Sequence, residues 1–440
     1  MSLLNTNKLY SACFRNIPHG WNELRLKYVA NAVVEKPKKR NLLAPYVGLE
    51  HVGSGIGRLL QFDESFEDSS AILCRKGDVL FGKLRPYLAK CFLAEREFRC
   101  SSEFLVLRSS RYNPNYLRYL LLTKEFIELV NASTYGAKMP RASWDFIGNI
   151  IVPLPPMNVQ EEIANYLDQQ TAKLDQLIEK KQRLIDLLQE KRQTLITQAV
   201  TKGLDPNVPM KDSGIEWLGK VPAHWDVVKI KHVALMRSGH TPSRQHPEYW
   251  EDCNIPWFTL ADVWQIRDGR AEYLEETEEK ISILGLENSA AELLPAGTVI
   301  LSRTASVGFS GIMAKPMATS QDFVNWVCGP KIIPEYLLYV FRSMKEEFKR
   351  LVMGSTHKTI YMPDAAAFKT PLPPIEEQHQ IVRYIRKHKT SIDRLEDLTL
   401  QSIQKLQEYR QALITAAVTG QIDVREKLAG SAEPIPAGKE

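Results

Sequence analysis

The stretch Pro153-Leu154-Pro155-Pro156 recurs later in the chain as Pro371-Leu372-Pro373-Pro374, and each copy opens a longer repeat. Residues 153–205 align without a gap on residues 371–423, with 22 identities in 53 positions. Average composition would give about three identities by chance. A repeat of this length at a constant offset indicates an internal duplication of the chain.

Weaker similarity continues upstream of each copy, but its offset shifts. The residues that recur 204 positions later are Pro18, Trp21, Lys27, Val29 and Ala30, and those that recur 220 positions later include Gly77, Pro114, Tyr116 and Leu117. We therefore divide the chain into a first variable domain (residues 1–157), a first helical segment (158–203), a second variable domain (213–374) and a second helical segment (375–425). A solenoid would need shorter and more numerous units.

Both helical segments carry the pattern of a long helix. No glycine or proline interrupts residues 158–201 or 375–419. Apolar residues fit alternating steps of three and four when polar residues fill the gaps, which are Gln170, Lys181 and Lys191 in the first segment and His388, Thr399, Ser402 and Tyr409 in the second. The apolar residues are Ile163, Leu167, Leu174, Leu177, Leu184, Leu188 and Leu195 in the first segment, and Ile381, Ile385, Ile392, Leu395, Leu406 and Leu413 in the second. A period of 3.5 residues predicts a coiled-coil seam, and a helix of ~44 residues would be ~65 Å long.

A single such helix would expose its apolar seam, whereas two in one chain can bury it against each other. If a pseudo-two-fold axis relates the repeats, the two helices form an antiparallel coiled coil. The variable domains mix short strand-like runs, at 78–81, 104–107, 298–301 and 323–327, with helix-like runs at 115–130 and 335–351. The predicted fold class is therefore α+β, with two mixed α/β domains in tandem, each followed by a long helix.

Composition narrows the class of protein. Of 440 residues, 44% are apolar and 25% charged, as in ordinary folded proteins. No run of ~18 apolar residues predicts a membrane span, and the six cysteines form no CxxC pair, so we expect a reduced, cytoplasmic protein. The net charge of +5 excludes a strongly basic nucleic-acid binder but not a local basic surface.

Motifs for catalysis are missing from the sequence. It contains no GxxxxGK[ST] phosphate loop, no histidine pair at metal-binding spacing and no acidic cluster of the kind that nucleases use. Gly53-Ser54-Gly55-Ile56-Gly57 lacks a full dinucleotide pattern and is interpreted as a turn. Asn254-Ile255-Pro256-Trp257 differs by one residue from the signature of amino-methyltransferases, but without a cofactor loop it does not predict methyl transfer by this chain.

Basic and polar loops occur at equivalent places in both variable domains. Arginine and lysine hold phosphates and bind guanine edges, while hydroxyl groups add shorter hydrogen bonds. We therefore predict DNA-binding residues in three loops per domain. In the first domain they are Lys36, Lys38, Lys39, Arg40, Lys83, Arg85, Tyr87, Lys138 and Arg141, and in the second Arg237, Thr241, Arg244, Arg303, Thr304, Ser306, His357, Lys358 and Thr359.

The chain resembles the specificity subunits of type I restriction-modification systems over about residues 12–425. The resemblance is carried by Ile215-Glu216-Trp217-Leu218-Gly219 with Pro222 and Trp225, by both Pro-Leu-Pro-Pro motifs, and by the segments 195–203 and 413–423. In that family an apolar residue, any residue and Glu-Gln usually follow the second motif, as Ile375-Glu376-Glu377-Gln378 do. The first copy departs from this, with Asn158-Val159-Gln160-Glu161 shifted by one.

The resemblance implies a non-catalytic, sequence-specific subunit of a methyltransferase and endonuclease complex. Each variable domain would be a target-recognition domain for one half of a bipartite, asymmetric site in double-stranded DNA. The helices would fix the spacer and dock two modification subunits. Cofactors would belong to those partners: S-adenosylmethionine to the modification subunits, and ATP with Mg²⁺ to the restriction subunits. This chain would bind no cofactor and no metal.

Two other interpretations remain open on sequence grounds. The first is a protein–protein adaptor, in which a coiled coil joins two domains that do not bind DNA. The second is a fragment of a fused methyltransferase, which would need the cofactor motif that the sequence lacks. Binding to random and genomic DNA duplexes discriminates the adaptor from the DNA-binding subunit.

Overall fold

The computed structural model describes residues 14, 17–38, 43–64, 66, 68–136, 138–353 and 359–425. The chain forms two compact units. Unit 1 consists of residues 1–181 and 401–440, and unit 2 of residues 182–400. Each unit therefore contains one variable domain and part of both helical segments.

Unit 1 begins with the first variable domain, which mixes short strands and helices as its sequence predicts. Its elements are β1 (Asn22–Arg25), β2 (Asn31–Val33), β3 (Tyr46–Val47), β4 (Ile72–Cys74), β5 (Val79–Gly82), β6 (Cys91–Leu93), β7 (Phe98–Cys100), β8 (Phe104–Arg108), α1 (Pro114–Leu121), α2 (Lys124–Ala132), α3 (Trp144–Ile147) and β9 (Ile151–Leu154). The long helix α4 (Met157–Lys202) follows.

The second variable domain follows α4 and repeats this order with additions. Its elements, with a hairpin that precedes it, are β10 (Met210–Asp212), β11 (Lys220–Pro222), β12 (Asp226–Lys229), β13 (Ala234–Ser238), β14 (Ile255–Phe258), β15 (Tyr273–Leu274), β16 (Glu279–Ile281), α5 (Ile283–Glu287), β17 (Val299–Ser302), β18 (Ser310–Met313), β19 (Ala318–Thr319), β20 (Phe323–Cys328), α6 (Pro334–Ser343), α7 (Lys345–Val352), α8 (Met362–Ala367) and β21 (Lys369–Leu372). The second long helix is α9 (Ile375–Val418).

The two variable domains share their main sheet. In unit 1 the strand order is β2-β8-β5-β6, and in unit 2 it is β13-β20-β17-β18 with β15 added at the edge. The first four strands of each sheet pair antiparallel. A two-stranded ribbon, β1-β9 or β12-β21, leads into each long helix. The predicted α+β class is confirmed.

A smaller sheet differs between the domains. Both contain one parallel pair, β3 with β7 and β14 with β19. The third strand pairs with β7 in the first domain but with β14 in the second, so the strand orders are β3-β7-β4 and β16-β14-β19. The sequence repeat gives no sign of this change, because the offset is lost in this part of the chain.

The helices predicted over 115–130 and 335–351 are each broken into two. In the first domain the break falls at Leu122 and Thr123, and the Thr123 hydroxyl donates to the carbonyl oxygen of Leu120 at 2.8 Å. In the second, Ser343 donates to Val340 at 2.7 Å just before the break at Met344. A hydroxyl that bonds a carbonyl of the preceding turn competes with the backbone ladder, and the prediction of single helices was wrong for this reason.

The long helices are uninterrupted, and their segments run antiparallel within each unit. In unit 1, residues 163–167 of α4 share a core with residues 413–418 of α9, while Asp175 pairs with Arg410. In unit 2, Gln189 and Arg192 of α4 contact Glu396 and Asp393 of α9, in reverse order. The predicted antiparallel pairing is confirmed in both units.

The predicted apolar seam is correct for most of its residues, including the buried Leu188 and Ile392, but wrong for three leucines near the middle. Leu177, Leu184 and Leu395 are 42%, 38% and 45% exposed, whereas Arg192 and Arg410 are buried. A straight α-helix drifts ~20° per heptad against a 3.5-residue repeat, so a stripe extrapolated from the helix ends turns away from the partner helix after a few heptads. The middle of the helix pair is therefore held partly by polar contacts.

Each long helix is fixed at its start by a buried glutamine. Gln160 accepts a hydrogen bond from the Asn113 amide at 2.8 Å, and its side-chain amide donates to the carbonyls of Arg111 and Pro155. Gln378 makes the corresponding bonds to the backbone of Ile333, Lys331 and Pro373. Gln160 and Gln378 are 218 positions apart, so the apparent shift by one in the first copy does not alter the helix start.

The helix ends also carry equivalent contacts. Tyr116 donates to the carbonyl of Val418 at 2.9 Å, and Tyr336 donates to that of Val200 at 3.3 Å. Each variable domain therefore forms a hydrogen bond to the last turn of the long helix that ends in its own unit. We call this contact the helix-end attachment.

Candidate nucleic-acid interface

Two of the three predicted loops meet in the first variable domain. The loop after β5 lies beside the loop that precedes α3, because the Arg85 amide donates to the carbonyl of Pro140 at 2.8 Å. The Lys83 amide donates to the carbonyl of Glu103 at 2.8 Å. Arg141 then binds the Glu103 carboxylate through two hydrogen bonds, of 2.7 and 3.1 Å. Backbone bonds and one bidentate ion pair therefore form a single surface from separate loops.

The second variable domain brings the equivalent loops together. Thr304 and Thr359 form a β-bridge, and the Ile360 amide donates to the carbonyl of Arg303 at 2.8 Å. The Arg303 guanidinium donates to the carbonyls of Gln321 and Ile360 at 2.9 and 3.3 Å. These two loops are separate in the sequence but are neighbours in the structure of both domains.

The turn after the glycine-entered strand has the same unusual backbone in both domains. Arg85 and Ala305, which are 220 positions apart, have φ values of +51° and +57°. Residues other than glycine adopt this left-handed conformation rarely, and it is concentrated at functional sites. The conformation projects the Arg85 side chain in the first domain and leaves only a methyl group in the second.

In the first domain several cations of this surface have no partner. The side chains of Lys83, Arg85 and Lys138 make no hydrogen bond or ion pair to any residue that the structure describes, and Arg85 and Lys138 are exposed. Tyr87 beside them is 53% exposed. Unpaired basic groups next to an exposed aromatic ring are the groups that hold phosphates and stack on bases.

In the second domain the predicted arginines are already engaged. Arg237 pairs with Glu292 at 3.1 Å, and Arg244 pairs with Glu279 at 3.1 Å while its guanidinium lies 4.5 Å from the Trp250 ring centre. Arg303 is bound to backbone carbonyls. The other predicted residues that the structure describes in these two loops, Thr304, Ser306 and Thr359, are neutral and half-buried.

The first predicted loop is less closely connected. In the second domain Thr241 bonds the Gln321 side chain, so this loop joins the surface around Arg303. In the first domain Lys36 donates to the carbonyl of Ser70 at 3.1 Å, in a different part of the domain, and Lys38 is exposed close by. Four predicted residues, Lys39, Arg40, His357 and Lys358, lie outside the described residues.

The described part of the chain offers little for catalysis. It contains no group of three or more His, Cys, Asp or Glu residues arranged to hold a metal ion. Burial raises the pKa of Cys91 and of Cys328 to about 12, so both thiols stay protonated at neutral pH. None of the helices in the described ranges is long and apolar enough to cross a membrane.

Comparison with known proteins gives consistent matches. A family model described as the type I restriction modification DNA specificity domain matches residues 18–187 and 222–405. The chain is 23% identical over 428 residues to the MjaVIII specificity subunit of a type I restriction enzyme from Methanocaldococcus jannaschii, covering 93% of this chain and 94% of the relative. It is 32% identical over 166 residues to the MjaIX specificity subunit of the same organism, covering 37% of this chain and 38% of that relative.

Solved structures share the fold. One, described as the structural basis of complex assembly and conformational transition of the type I R-M system, has a TM-score of 0.70 and 23% identity, covering 92% of this chain and 100% of that one. The HsdS subunit from Thermoanaerobacter tengcongensis has a TM-score of 0.52 and 21% identity, covering 92% of this chain and 98% of that one.

The family model covers both halves of the duplicated chain, and each match includes one of the variable domains with its converging loops. The resemblance seen in the sequence is therefore confirmed: the chain belongs to the specificity-subunit family of type I restriction-modification systems.

Proposed function

We propose that this chain selects the DNA site of a type I restriction-modification complex, with each variable domain recognising one half of a bipartite site in double-stranded DNA. The observation that carries the proposal is the repeated loop surface. The same pairs of loops meet in both domains, around Arg85 and Pro140 in one and around Arg303 and Ile360 in the other. Two similar surfaces in one chain suit a site with two half-sites.

The predicted DNA-binding residues are part of this proposal, and they contribute in three ways. Lys83, Arg85 and Lys138 bind phosphates, because a side chain without an ion pair breaks no existing contact when it binds a phosphate. Thr304, Ser306 and Thr359 contact base edges or sugars through hydroxyl groups. Arg141 and Arg303 hold the loops in place.

The long helices fix the spacer between the half-sites and dock two modification subunits. S-adenosylmethionine is bound by those subunits and ATP with Mg²⁺ by the restriction subunits, while this chain carries out no chemistry and acts in the cytoplasm. The exposed leucines in the middle of the helices support docking, since Leu184, Leu187, Leu395 and Leu398 are 38–53% exposed. Leu184 and Leu187 lie on α4 and Leu395 and Leu398 on α9, and clustered exposed apolar side chains are typical of protein-binding surfaces.

The test uses the full chain with the modification subunits of its own organism. The complex is expected to methylate a plasmid library only at sites with two fixed half-sites and a fixed spacer. The chain alone is expected to bind the same sites in a gel shift but to transfer no methyl group from S-adenosylmethionine. Methylation that lacks a second half-site, or turnover that scales with this chain alone, would contradict the proposal.

The spacer part of the proposal needs a separate change. Both helices pass from one unit to the other, between residues 181 and 182 and between residues 400 and 401. Inserting four residues at both points lengthens each helix by ~6 Å, close to two base pairs of 3.4 Å. The preferred spacer is expected to grow by one or two base pairs with both half-sites unchanged, and an unchanged spacer would show that the helices do not set it.

A further inference from the structure

The glycine-rich turn at residues 53–57 is held by an arginine from a long helix. Its carbonyl groups at Gly55 and Ile56 accept hydrogen bonds from the two terminal nitrogens of Arg410, at 3.0 and 2.9 Å. The carbonyl of Gly57 accepts from Arg118 at 3.2 Å. The turn presents three successive carbonyls in this way because Gly55 and Gly57 have φ values of +71° and +74°.

Arg410 is only 5% exposed, so its charge needs a partner. Its remaining nitrogen, Nε, donates to Asp175 on the opposite helix at 2.9 Å. The second oxygen of that carboxylate lies 3.2 Å from Arg58, directly after the glycine turn. Arg410 and Asp175 together form what we call the unit 1 clamp.

Unit 2 contains an equivalent clamp. Arg192 is 8% exposed and pairs with Asp393 on the opposite helix at 2.8 Å. Its Nη1 donates to the carbonyl of Asp268 at 3.0 Å. Asp268 begins a turn whose Gly269 has a φ of +71°. Glu396 is a second carboxylate partner of Arg192.

Further donors hold the same turn in unit 2. Arg342 donates to the carbonyl of Gly269 at 2.8 Å, and Lys389 donates to that of Arg270 at 2.8 Å. Every one of these bonds ends on a main-chain oxygen. The Arg270 side chain of the turn adds ion pairs to Asp397 and Glu396 of α9, at 2.6 and 3.1 Å, so these backbone contacts are supplemented by one side chain of the turn.

The two clamps are duplicates on the helix side only. Arg192 and Arg410 are 218 positions apart, as are Asp175 and Asp393, and all four belong to the identical positions of the repeat. The turns that they hold, residues 53–57 and 268–271, have different sequences. Because each constant arginine contacts its turn only through main-chain oxygens, it can hold turns of unrelated sequence, which is what an exchangeable variable domain requires.

We propose that Arg192 and Arg410 are positioning residues for DNA recognition, each fixing the orientation of one variable domain on the helices. This inference rests on the proposed function. In both units the clamp lies eight residues from the helix-end attachment, at Val200 or Val418, which is ~12 Å along the helix. Together with the helix-end attachment and the buried glutamine at the helix start, the clamp restricts rotation of the domain on the helices.

The test compares Arg410→Gln with Arg192→Gln in the full chain assembled with its modification subunits. The readout is the methylation rate at the cognate site divided by the rate at a site with one mismatched base pair. Arg410→Gln is expected to lower this ratio about tenfold for the half-site of the first domain and to leave the other half-site within about twofold. Arg192→Gln is expected to do the reverse, so that each variant is the matched control of the other.

Two more variants separate positioning from charge. Arg410→Lys keeps the charge, but one ammonium group cannot bond two carbonyls and Asp175 in the same geometry, so it is expected to behave as Arg410→Gln does. Lys405→Gln removes an exposed charge from the same helix and is expected to change neither ratio. Full recovery in Arg410→Lys would overturn the positioning role.

Hydrogen exchange gives a readout that does not depend on DNA. Arg410→Gln is expected to speed exchange of the amides at 53–58 and not those at 266–271. If Arg410→Gln does not fold, Gly55→Ala is a second way to disturb the same turn. The φ of +71° strains the backbone when the residue is alanine, and the added Cβ causes no clash because no atom lies within 4 Å of it. Gly55→Ala is expected to lower the first ratio about threefold.

The outcomes remain distinguishable. A wild-type complex that methylates no bipartite site counts against the proposed function, and the exchange experiment still tests the clamp. If the wild-type complex discriminates against mismatched sites and the variants show faster exchange in their turns but unchanged ratios, the inference is overturned. The proposed function then remains intact.

Discussion

The two variable domains form the same loop surface with different side chains. In the first domain the surface carries the unpaired cations Lys83, Arg85 and Lys138, and the domain has 22 basic and 14 acidic residues, a net charge of +8. In the second domain Arg303, at the position of Lys83, is bound to backbone carbonyls and Ala305 stands at the position of Arg85, and 17 basic against 19 acidic residues give −2. The arrangement of the loops is repeated in the two domains, whereas the side chains that the loops expose are different.

The comparison shows which contacts keep the arrangement of the loops the same in both domains. The loops are joined mainly through backbone amides and carbonyls, such as the bonds from Arg85 to Pro140 and from Ile360 to Arg303. Backbone groups are the same whatever the side chain, so the loops keep their arrangement while their side chains vary. We therefore expect the first domain to bind DNA largely through charge and the second largely through hydrogen bonds.

The largest effect is expected from exchanging a whole domain. Replacing residues 213–374 by the equivalent domain of a relative should change one half-site completely and leave the other intact, because the two surfaces lie in separate units. Replacing residues 1–157 is the matched control and should change only the other half-site. Sequencing of methylated sites checks both, and a change in both half-sites from either exchange would contradict the separation.

The next largest effect concerns charge. Lys83→Ala with Arg85→Ala should make the slope of log affinity against log salt about two units less negative, because each phosphate contact that is lost leaves about one more counterion on the DNA. Thr304→Ala with Thr359→Ala should weaken binding but leave the slope unchanged. Titrations of a bipartite duplex over a series of salt concentrations measure both. Equal slopes for the two double variants would show that the domains do not differ in this respect.

A smaller effect is expected at Arg303. Because its guanidinium holds the carbonyls of Gln321 and Ile360, Arg303→Ala should lower discrimination at the half-site of the second domain about fivefold, or ~1 kcal/mol, without changing the salt slope. Arg141→Ala is the corresponding change in the first domain. A drop of about one unit in the slope for Arg303→Ala would place this residue on a phosphate instead.

The smallest effect is a dependence on pH. Burial raises the pKa of Glu396, but the hydrogen bond from Gln189 and the charges of Arg192 and Arg270 outweigh it and lower the pKa below the ordinary value. The stabilisation is therefore complete above the ordinary pKa of a glutamate and is lost as the pH falls through the lowered value. Between pH 6 and pH 3 the wild type should lose ~1 kcal/mol more than Glu396→Gln.

Thermal unfolding at both pH values checks this expectation. Glu408→Gln, which removes an exposed carboxylate from the same helix, should follow the wild type. If Glu396→Gln and the wild type lose equal stability on acidification, the ion pairs of the unit 2 clamp do not contribute to its pH dependence.

The sequence predicts the parts of the fold that follow from periodicity and repetition. The long helices appear because no residue breaks them, and their antiparallel pairing follows from the duplication. The breaks at Thr123 and Met344 are not predictable from periodicity, because they depend on a single hydroxyl group that bonds the preceding turn. The burial of Arg192 and Arg410 between the helices is also not predictable, since both resemble surface residues until their carbonyl partners are known.

The candidate site was predictable in its location but not in its detail. Loops at equivalent offsets indicated the surface, yet nothing in the sequence distinguishes the unpaired Arg85 from the engaged Arg303. The clamps did leave a signal. Four charged residues are among the 22 identities of the repeat, and two of them, Asp175 and Arg192, belong to the clamps.

Unit 1 is assembled from two parts of the chain that are made at different times. Residues 1–181 emerge from the ribosome before the ~220 residues of unit 2, and residues 401–418 emerge after them. At 5–20 residues per second this delay is roughly 10–45 s. During it, the surface that later packs against Leu413, Ile414, Ala417 and Val418 stays uncovered. Unit 2 is contiguous and can complete its core first, so the domain that is synthesised first is the one that finishes folding last and depends more on chaperones.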